Sequence, residues 1–206
     1  MYRLYDYPPS GNGYKVRLLL SQLEVPFEYV ELDILKGETR TAEFLTKNPN
    51  GRIPLLELGS GSYLAESNAI LVYLAQGTPF LPEDKLAQAQ MLSWMFFEQY
   101  SHEPNIATPR FWLCHTPELD EYQTVALPQK QVQGYQALAV MEQHLANHRY
   151  FVAEQYTIAD IALYAYTHVA HEGGFELERF SHIARWLRDV ASQPGYIPIF
   201  QTDFSA

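Results

Sequence analysis

Glu66 and Ser67 have the residue types and the spacing to hold a zwitterion at the start of a predicted helix. Apolar residues recur at helical spacing after Ser67, at Ile70, Leu71 and Leu74. A helix start offers N–H groups and partial positive charge, which suit a carboxylate, while the Glu66 carboxylate can accept from an ammonium. The alternative is that Ser67 serves only as the helix cap, and the two roles are compatible.

A second group of polar residues lies near the N-terminus, where Ser10 and Asn12 supply a hydroxyl and an amide. The segment from Pro8 to Gly13 is dense in turn formers and is predicted to be a loop. Its glycines lack the lysine and hydroxyl residues of a phosphate-binding loop, so a nucleotide site is not indicated. The loop would connect a strand over residues 2–7 to a helix that runs through Glu24.

The elements that position these residues follow the order βαβαββα, which is the thioredoxin-like arrangement. A second strand over residues 27–32 completes a parallel βαβ unit, a short helix covers residues 41–47, and a hairpin spans residues 53–64. Residues 77–82 read as a linker, and only helical patterns follow it, beginning with a long stretch over residues 87–113 that is bent near Pro104. We predict an α/β domain over residues 1–79 and an all-helical domain over residues 85–206.

Composition excludes several classes of function. The formal net charge is −10, most of it carried by residues 81–206, which disfavours a nucleic-acid partner. The single cysteine, Cys114, rules out an internal disulfide, and the histidines show no metal-ligand spacing. Since no stretch approaches the ~20 apolar residues that a membrane span needs, we expect no membrane association and a cytoplasmic location.

Four segments, in order along nearly the whole chain, resemble motifs of the glutathione transferases. These are the polar loop at Tyr5–Asn12, the segment Asn48–Pro54 that resembles a loop leading to a cis-proline, the glutamate–serine pair in Leu64–Ile70, and a helix-capping motif at Thr157–Asp160. Their order matches that of the predicted elements, so the chain is identified as similar to this family. The resemblance implies a protein that binds glutathione as its co-substrate, without a metal.

The resemblance implies that a residue near Ser10 or Asn12 activates the glutathione thiol. A free thiol has a pKa near ~8.5, and a hydroxyl or amide that donates to sulfur favours the thiolate. When the chain is aligned with the family on the segment that begins at Val16, Ser10 falls at the position of the serine of the serine-type classes. Asn12 falls at the position of the cysteine of a bacterial class. Tyr5 and Tyr7 resemble the tyrosine of other classes but lie too early in the strand. We favour Ser10, with Asn12 second, and a plain loop role for Ser10 is the alternative.

The remaining glutathione contacts follow from the same resemblance. A cis bond before Pro54 would turn the backbone of Ile53 outward, where it could pair with an extended peptide such as glutathione. Lys36 and Arg52 are the candidate cations for the glycine carboxylate. Some relatives carry a histidine at the position of Gly51, and that contact is missing here.

The second substrate is expected to sit against aromatic residues of the helical domain. Tyr100, Phe111 and Trp112 are the candidate pocket residues, because aromatic faces suit a small, flat, hydrophobic electrophile. Trp94 and Phe96 are instead assigned to the helical core.

We therefore predict a glutathione transferase that activates the thiol for attack on an electrophile, working as a homodimer. The alternatives are a glutathione-dependent disulfide reductase or peroxidase, an isomerase, and a non-catalytic binding module with the same fold. Because no cysteine stands at the predicted site, chemistry on a protein cysteine is disfavoured.

Overall fold

The structure is a computed structural model, and it describes residues 1–204. The chain divides into two compact units. The first contains Met1–Thr78 together with the C-terminal segment from Gln193 onward, and the second contains Pro79–Ser192. The predicted division placed everything after residue 85 in the helical domain, so the C-terminal segment differs from that prediction.

The first unit is built on a four-stranded mixed sheet in the order β2-β1-β3-β4. Its strands are β1 (Tyr2–Asp6), β2 (Phe27–Glu31), β3 (Leu55–Glu57) and β4 (Tyr63–Ala65). Strand β1 pairs in parallel with β2 and antiparallel with β3, and β3 pairs with β4 as a hairpin. The predicted βαβ unit, hairpin and element order are therefore confirmed.

Three α-helices accompany this sheet, namely α1 (Gly11–Gln22), α2 (Ala42–Lys47) and α3 (Ser67–Leu74). Short 3-10 helices at Ile34–Lys36 and Glu38–Arg40 connect β2 to α2. Helix α1 is buried over most of its length, so its 12 residues form a central element of this unit rather than a surface helix. The predicted loop ends at Ser10, and Gly11–Gly13 form the first turn of α1 instead.

The C-terminal segment belongs to the first unit because buried side chains of α1 bind its backbone. The Tyr14 hydroxyl donates to the carbonyl of Ile197 at 2.7 Å. The Arg17 guanidinium donates to the carbonyls of Ile199 at 2.6 Å and Gln201 at 2.9 Å. Burying these polar groups without partners would be unfavourable, so the segment completes the set of hydrogen bonds around α1.

The second unit is helical, with α4 (Lys85–Phe97), α5 (Glu103–His115), α6 (Glu121–Leu145), α7 (Ile158–Thr167) and α8 (Ser181–Ala191). A π-helical turn at Glu98–His102 joins α4 to α5, and Pro104 lies in the first turn of α5. The helical stretch predicted over residues 87–113 is therefore interrupted just before Pro104 by this π-helical turn. Short 3-10 helices at Ala170–Gly173 and Leu177–Arg179 lie between α7 and α8.

Helix α7 is buried along its whole length and begins at the predicted capping box. The carboxylate of Asp160 accepts from the backbone N–H of Thr157 at 2.9 Å, from the backbone N–H of Phe151 at 3.2 Å and from Trp186 Nε1 at 3.0 Å. Burial raises the pKa of Asp160 to about 6, against these hydrogen bonds. This carboxylate therefore ties the start of α7 to a loop and to α8.

Candidate functional site

The start of α1 carries both candidate activating residues. Ser10 is the N-cap, and its Oγ accepts a hydrogen bond from the backbone N–H of Gly13 at 3.2 Å. The backbone N–H of Ser10 donates to the carbonyl of Tyr7 at 2.8 Å, which closes the preceding turn. Ser10 is thus a helix cap whose hydroxyl hydrogen is available as a further donor. Asn12 lies in the first turn of the helix.

A buried ion pair supports this helix start from below. The Asp6 carboxylate and the Arg17 Nε lie 2.8 Å apart, and both side chains are fully buried. Burial raises the pKa of Asp6 to about 6, while the neighbouring guanidinium acts in the opposite direction. A Cβ atom at Gly13 would lie 1.5 Å from Asp6 Oδ1, so only glycine allows the helix to approach the carboxylate this closely.

Asn12, Lys15 and Ser67 form a hydrogen-bonded cluster that joins α1 to the start of α3. The Lys15 ammonium donates to Asn12 Oδ1 at 2.8 Å and lies 3.4 Å from Ser67 Oγ. The Ser67 hydroxyl donates to Asn12 Oδ1 at 3.1 Å. Lys15 is fully buried, whereas Asn12 is half-buried. Asn12 and Ser67 were predicted from the sequence, whereas Lys15 was not; its only signal is a lysine three residues after Asn12 within an apolar stretch.

At the start of α3, Glu66 occupies the N-cap position and Ser67 is the first helical residue. The Ser67 hydroxyl bonds to Asn12 rather than capping its own helix, so the interpretation of Ser67 as only a cap is wrong. Glu66 has a backbone φ of 69°, a left-handed conformation that is costly for a residue with a side chain and is concentrated at functional sites. Its exposed side chain makes no capping hydrogen bond.

The peptide bond between Ile53 and Pro54 is cis, as the sequence motif indicated. Pairing of β3 with its two neighbours begins at Leu55, one residue after the proline. Ile53 therefore lies just outside the ladder, with its half-buried side chain packed against the cluster of Tyr5, Phe44 and Leu55.

The loop before the cis bond is held by a buried asparagine that the sequence analysis did not single out. Asn48 Nδ2 donates to the carbonyl of Arg52 at 2.8 Å, and Asn48 Oδ1 accepts from the backbone N–H of Asn50 at 3.1 Å. The Arg52 side chain is exposed. Asn48 thus fixes the path of the backbone that presents Arg52 and Ile53.

Lys36, the second candidate cation, is exposed. Its ammonium pairs with Asp33 at 3.0 Å, and this carboxylate raises the pKa of Lys36. Arg40 is a further cation that the sequence analysis missed. Its Nη1 donates to the carbonyl of Asn50 at 3.0 Å and would lie 2.6 Å from a Cβ at Gly51. A guanidinium therefore borders the position where some relatives carry a histidine.

Tyr5 and Tyr7, the tyrosines in and just after the first strand, have environments that differ from that of Ser10. Tyr5 is buried, and its hydroxyl donates to Glu57 Oε2 at 2.7 Å while accepting from Lys47 at 3.3 Å. Burial raises the pKa of Tyr7, with a smaller contribution from Asp33. Tyr5 is therefore engaged in the sheet, which agrees with the sequence-based preference for Ser10 and Asn12.

The candidate pocket residues of the second unit lie in three different environments. Tyr100 is 87% exposed and lines an open groove of about 520 Å³, together with residues that include Phe97, Gln133 and Val140. Phe111 is partly exposed and lies against the ring of His115. Trp112 is buried with its ring edge-on to Tyr122 at 6.1 Å, and its role as a pocket residue stays a prediction.

Trp94 and Phe96, the two residues assigned to the helical core, differ in burial. Trp94 packs against Phe97, His144 and Phe151, as expected for a core residue. Phe96 is 69% exposed, so its core assignment is wrong, because it lies on the outer side of α4 while Met91 and Met95 face inward.

Neither a metal site nor a membrane span is found in the part of the chain that the structure describes. Among residues 1–204, no three His, Cys, Asp or Glu side chains lie close enough together to hold a metal ion. Within the same residues, no helix is long and apolar enough to cross a membrane.

A thioredoxin-like unit with a cis-proline, followed by an all-helical unit, defines the architecture of the glutathione transferases. Residues 1–76 match the family "Glutathione S-transferase, N-terminal domain", and residues 104–194 match "Glutathione S-transferase, C-terminal domain". The chain belongs to the glutathione S-transferase family.

Several solved structures and characterised proteins resemble the chain over nearly its whole length. A glutathione S-transferase from Pseudomonas fluorescens is 50% identical, with a TM-score of 0.94 and coverage of 97% of this chain and 99% of that one. The disulfide-bond oxidoreductase YfcG of Escherichia coli is 28% identical over 92% of this chain and 90% of its own. Yeast Ure2p in complex with glutathione is 26% identical, with a TM-score of 0.84 and coverage of 94% and 90%.

Proposed function

We propose that this protein is a glutathione transferase, which holds the glutathione thiol in its ionised form and directs it to an electrophilic substrate. The observation that carries the proposal is the placement of Asn12. Its amide oxygen accepts from Lys15 and Ser67, which fixes an amide at the start of α1, beside the start of α3. The family membership and the glutathione complex of a relative at 26% identity support the choice of co-substrate.

Glutathione would bind as a short added strand. The backbone of Ile53, which lies outside the sheet ladder, would pair with the cysteine residue of the peptide. The γ-glutamyl carboxylate would accept from N–H groups at the start of α3, near Ser67, while the exposed Glu66 carboxylate would accept from the ammonium. The left-handed Glu66 backbone is consistent with a residue held for ligand contact.

The glycine carboxylate of glutathione requires a cation, and the candidates are Arg52 and Arg40, which border the loop that precedes the cis bond, and Lys36. We propose Arg52 and Arg40 ahead of Lys36, because Lys36 already pairs with Asp33. Replacing each by alanine and measuring the Kd of glutathione would rank them. The proposal predicts a clear loss of affinity for Arg52→Ala or Arg40→Ala and a smaller change for Lys36→Ala.

Two donors and a helix N-terminus would act together on the thiol. The Ser10 hydroxyl and the Asn12 amide can each donate to sulfur, and the dipole of α1 adds ~0.3–1 kcal/mol. Lowering a thiol pKa by two units requires about 2.7 kcal/mol, which such a set can supply. Because each donor supplies part of this free energy, Ser10→Ala and Asn12→Ala are each expected to reduce kcat/KM. If neither variant changed kcat/KM, this assignment would be refuted.

The groove beside Tyr100 is the proposed binding region for the apolar electrophile. Its wall combines the aromatic rings of Phe97 and Tyr100 with the polar side chains of Gln133 and Gln136. Phe111 is retained as a second candidate because its ring is partly exposed. Tyr100→Ala should raise the KM for an aromatic electrophile and leave the Kd of glutathione unchanged.

Glutathione-dependent disulfide reduction is the second candidate function, and the similarity to YfcG at 28% identity favours it. Cys114 is ill-suited to this chemistry, since burial and Glu172 raise the pKa of its thiol. The sulfurs would therefore come from two glutathione molecules, which together reduce one disulfide to two thiols and leave as glutathione disulfide. A Cys114→Ala variant should retain this activity in full.

We further propose a cytoplasmic homodimer. Leu92 and Phe96 are exposed apolar residues four positions apart on one side of α4, which a second copy would cover. Replacing Phe96 by glutamate should convert a dimer into a monomer in analytical ultracentrifugation. A wild-type monomer would refute this part of the proposal.

The decisive test is to titrate bound glutathione while following the ultraviolet absorbance of the thiolate against pH. A bound thiol pKa about two units below that of free glutathione would support an activating site. Turnover of a panel of aromatic electrophiles and small disulfides would then separate the two activities. Binding without any change in pKa would refute the enzymatic proposal and favour a non-catalytic glutathione-binding module.

A further inference from the structure

Lys15 lies beneath the proposed thiol site and does not reach the surface. Its side chain is completely buried in α1, with Nζ 2.8 Å from Asn12 Oδ1 and 3.4 Å from Ser67 Oγ. Burying an ammonium is costly unless it is hydrogen-bonded, so the position of this charge is tightly defined. A lysine at this depth cannot touch glutathione and must act through the residues above it.

The chemistry of an ammonium decides which way the Asn12 amide faces. A lysine ammonium has only donors, so the group that meets it must be the carbonyl oxygen of the amide. The Ser67 hydroxyl donates to that same oxygen at 3.1 Å. Rotating the Asn12 amide by half a turn would bring its NH2 group against the ammonium and break both hydrogen bonds. The carbonyl edge is therefore held inward, and the NH2 group occupies the opposite edge.

We infer that Lys15 is a positioning residue, which fixes Asn12 with its amide N–H groups toward the glutathione sulfur. The inference rests on the proposed function, because it assumes that glutathione is the ligand. An Asn12 amide free to rotate would present its oxygen to the sulfur part of the time, and an acceptor beside a thiolate disfavours the charged form.

The same cluster links the two ends of the proposed ligand site. Ser67 stands at the start of α3, where the γ-glutamyl carboxylate would bind, and its hydroxyl shares Asn12 Oδ1 with Lys15. Binding of that carboxylate and orientation of the thiol donor are thus coupled through one oxygen atom.

A double-mutant cycle tests whether Lys15 acts through Asn12. The variants are Lys15→Met, Asn12→Ala and the double variant, and the readout is the pKa of bound glutathione followed by thiolate absorbance. Lys15→Met should raise that pKa by about one unit, a tenfold loss of thiolate at neutral pH, when Asn12 is present. In the Asn12→Ala background the same change should have almost no effect. Lys130→Met, a partly buried lysine of the helical unit, is the matched control and should leave the pKa unchanged.

Equal shifts in both backgrounds would overturn the inference, because Lys15 would then act through its own charge. An unchanged pKa in Lys15→Met would overturn it as well. Failure of the proposed function gives a different result, since the wild-type protein would then not lower the thiol pKa, or Asn12→Ala would have no effect on it.

Two further measurements keep the inference testable if Lys15→Met does not fold. Lys15→Gln keeps an N–H donor for Asn12 without the charge, and it should retain most of the shift in thiol pKa. In the wild-type complex, nuclear Overhauser contacts should appear between the Asn12 side-chain amide protons and the cysteine β-protons of glutathione. A complex in which those amide protons face away from the ligand would overturn the inference.

Discussion

The starts of α1 and α7 both carry a hydroxyl N-cap, and they differ at the third helical residue. In α7 that residue is Asp160, whose carboxylate reaches back to the backbone N–H of Thr157 and completes a capping box. In α1 it is Gly13, which has no side chain to reach back to Ser10. The start of α7 is therefore closed by its own residues and buried, whereas polar groups at the start of α1 remain at the surface of the first unit.

One capping pattern is thus compatible with different roles, because the third residue decides which groups the helix start contacts. A carboxylate there consumes the donors of the helix start and ties neighbouring segments together. A glycine there leaves the N-cap N–H to another acceptor, which for Ser10 is the carbonyl of Tyr7, and lets the helix approach a buried carboxylate, as Gly13 does with Asp6. We therefore expect a change at Asp160 to affect stability alone and a change at Gly13 to affect both stability and glutathione binding.

The largest effect on stability is expected for Asp160→Ala. This change leaves the indole N–H of Trp186 and two backbone N–H groups buried without their acceptor, so we expect a loss of about 4 kcal/mol in the free energy of unfolding. Urea denaturation followed by circular dichroism measures it. Asp84→Ala removes an exposed N-cap from α4 and should cost only about 1 kcal/mol. Equal losses for the two variants would contradict a special role for the buried cluster.

Gly13→Ala should have the next largest effect, and it should also affect glutathione binding. The added Cβ would overlap the Asp6 carboxylate, which cannot move easily because Arg17 holds it. We expect a loss of about 3 kcal/mol in stability and a marked rise in the Kd of glutathione. Gly37→Ala is the control, since no atom lies within 4 Å of its Cβ and only its positive φ is costly. Unchanged glutathione affinity in Gly13→Ala would show that the start of α1 is not part of the site.

A third effect concerns the other end of α7, where His168 is the C-cap and bonds to the carbonyl of Tyr164 at 2.8 Å. Burial lowers the pKa of His168 to about 4, with smaller contributions from Arg110 and His171 and an opposing one from Glu172. The unfolded chain takes up a proton near pH 6.5 while the folded one does not, so stability falls as the pH drops below that value. By pH 5 this group should cost about 2 kcal/mol.

The comparison of wild type with His168→Gln isolates that contribution. Between pH 7 and pH 5, the free energy of unfolding should fall further in the wild type than in the variant. Other titrating groups, including Asp6 and Asp160, are common to both proteins and cancel in the difference. Parallel curves would show that His168 is protonated as readily in the folded protein as in the unfolded one.

The smallest stability effect separates the two roles of Ser10. As an N-cap, Ser10→Ala should cost about 1 kcal/mol and Ser10→Gly only a few tenths, because glycine is a tolerated cap. Both changes remove the hydroxyl donor, so both should lower kcat/KM by a similar factor if Ser10 acts on the thiol. Full activity in Ser10→Gly would show that Ser10 serves only as a helix cap.

Much of the fold could be predicted because it depends on local patterns. The alternation of the strands, the apolar spacing after Ser67 and the capping box at Thr157–Asp160 are all readable within a few residues. The start of α1 was not predicted, since Gly11 and Gly13 are poor helix formers when considered alone. They are tolerated because the packing of α1 against Asp6 requires a residue without a side chain at position 13.

The site could be predicted only in part, because its supporting residues depend on contacts distant in sequence. Ser67 and Asn12 were identified through motifs, whereas Lys15 matters through a contact to Ser67 that spans 52 residues. Phe96 was assigned to the core although it is exposed, since α4 has a weak amphipathic pattern that does not reveal which side faces inward. Which side of such a helix faces the core can be assigned only when the packing of the whole helix is known.

The binding of Ile199 and Gln201 to Arg17 has a consequence for the order of biosynthesis. Arg17 is made early, but the acceptors for its buried guanidinium follow 182 and 184 residues later. The first unit can therefore complete these hydrogen bonds only after residues 199 and 201 have left the ribosome. A chain truncated before residue 197 would lack the acceptors of the buried Tyr14 hydroxyl and Arg17 guanidinium, so the first unit depends on a segment made long after it.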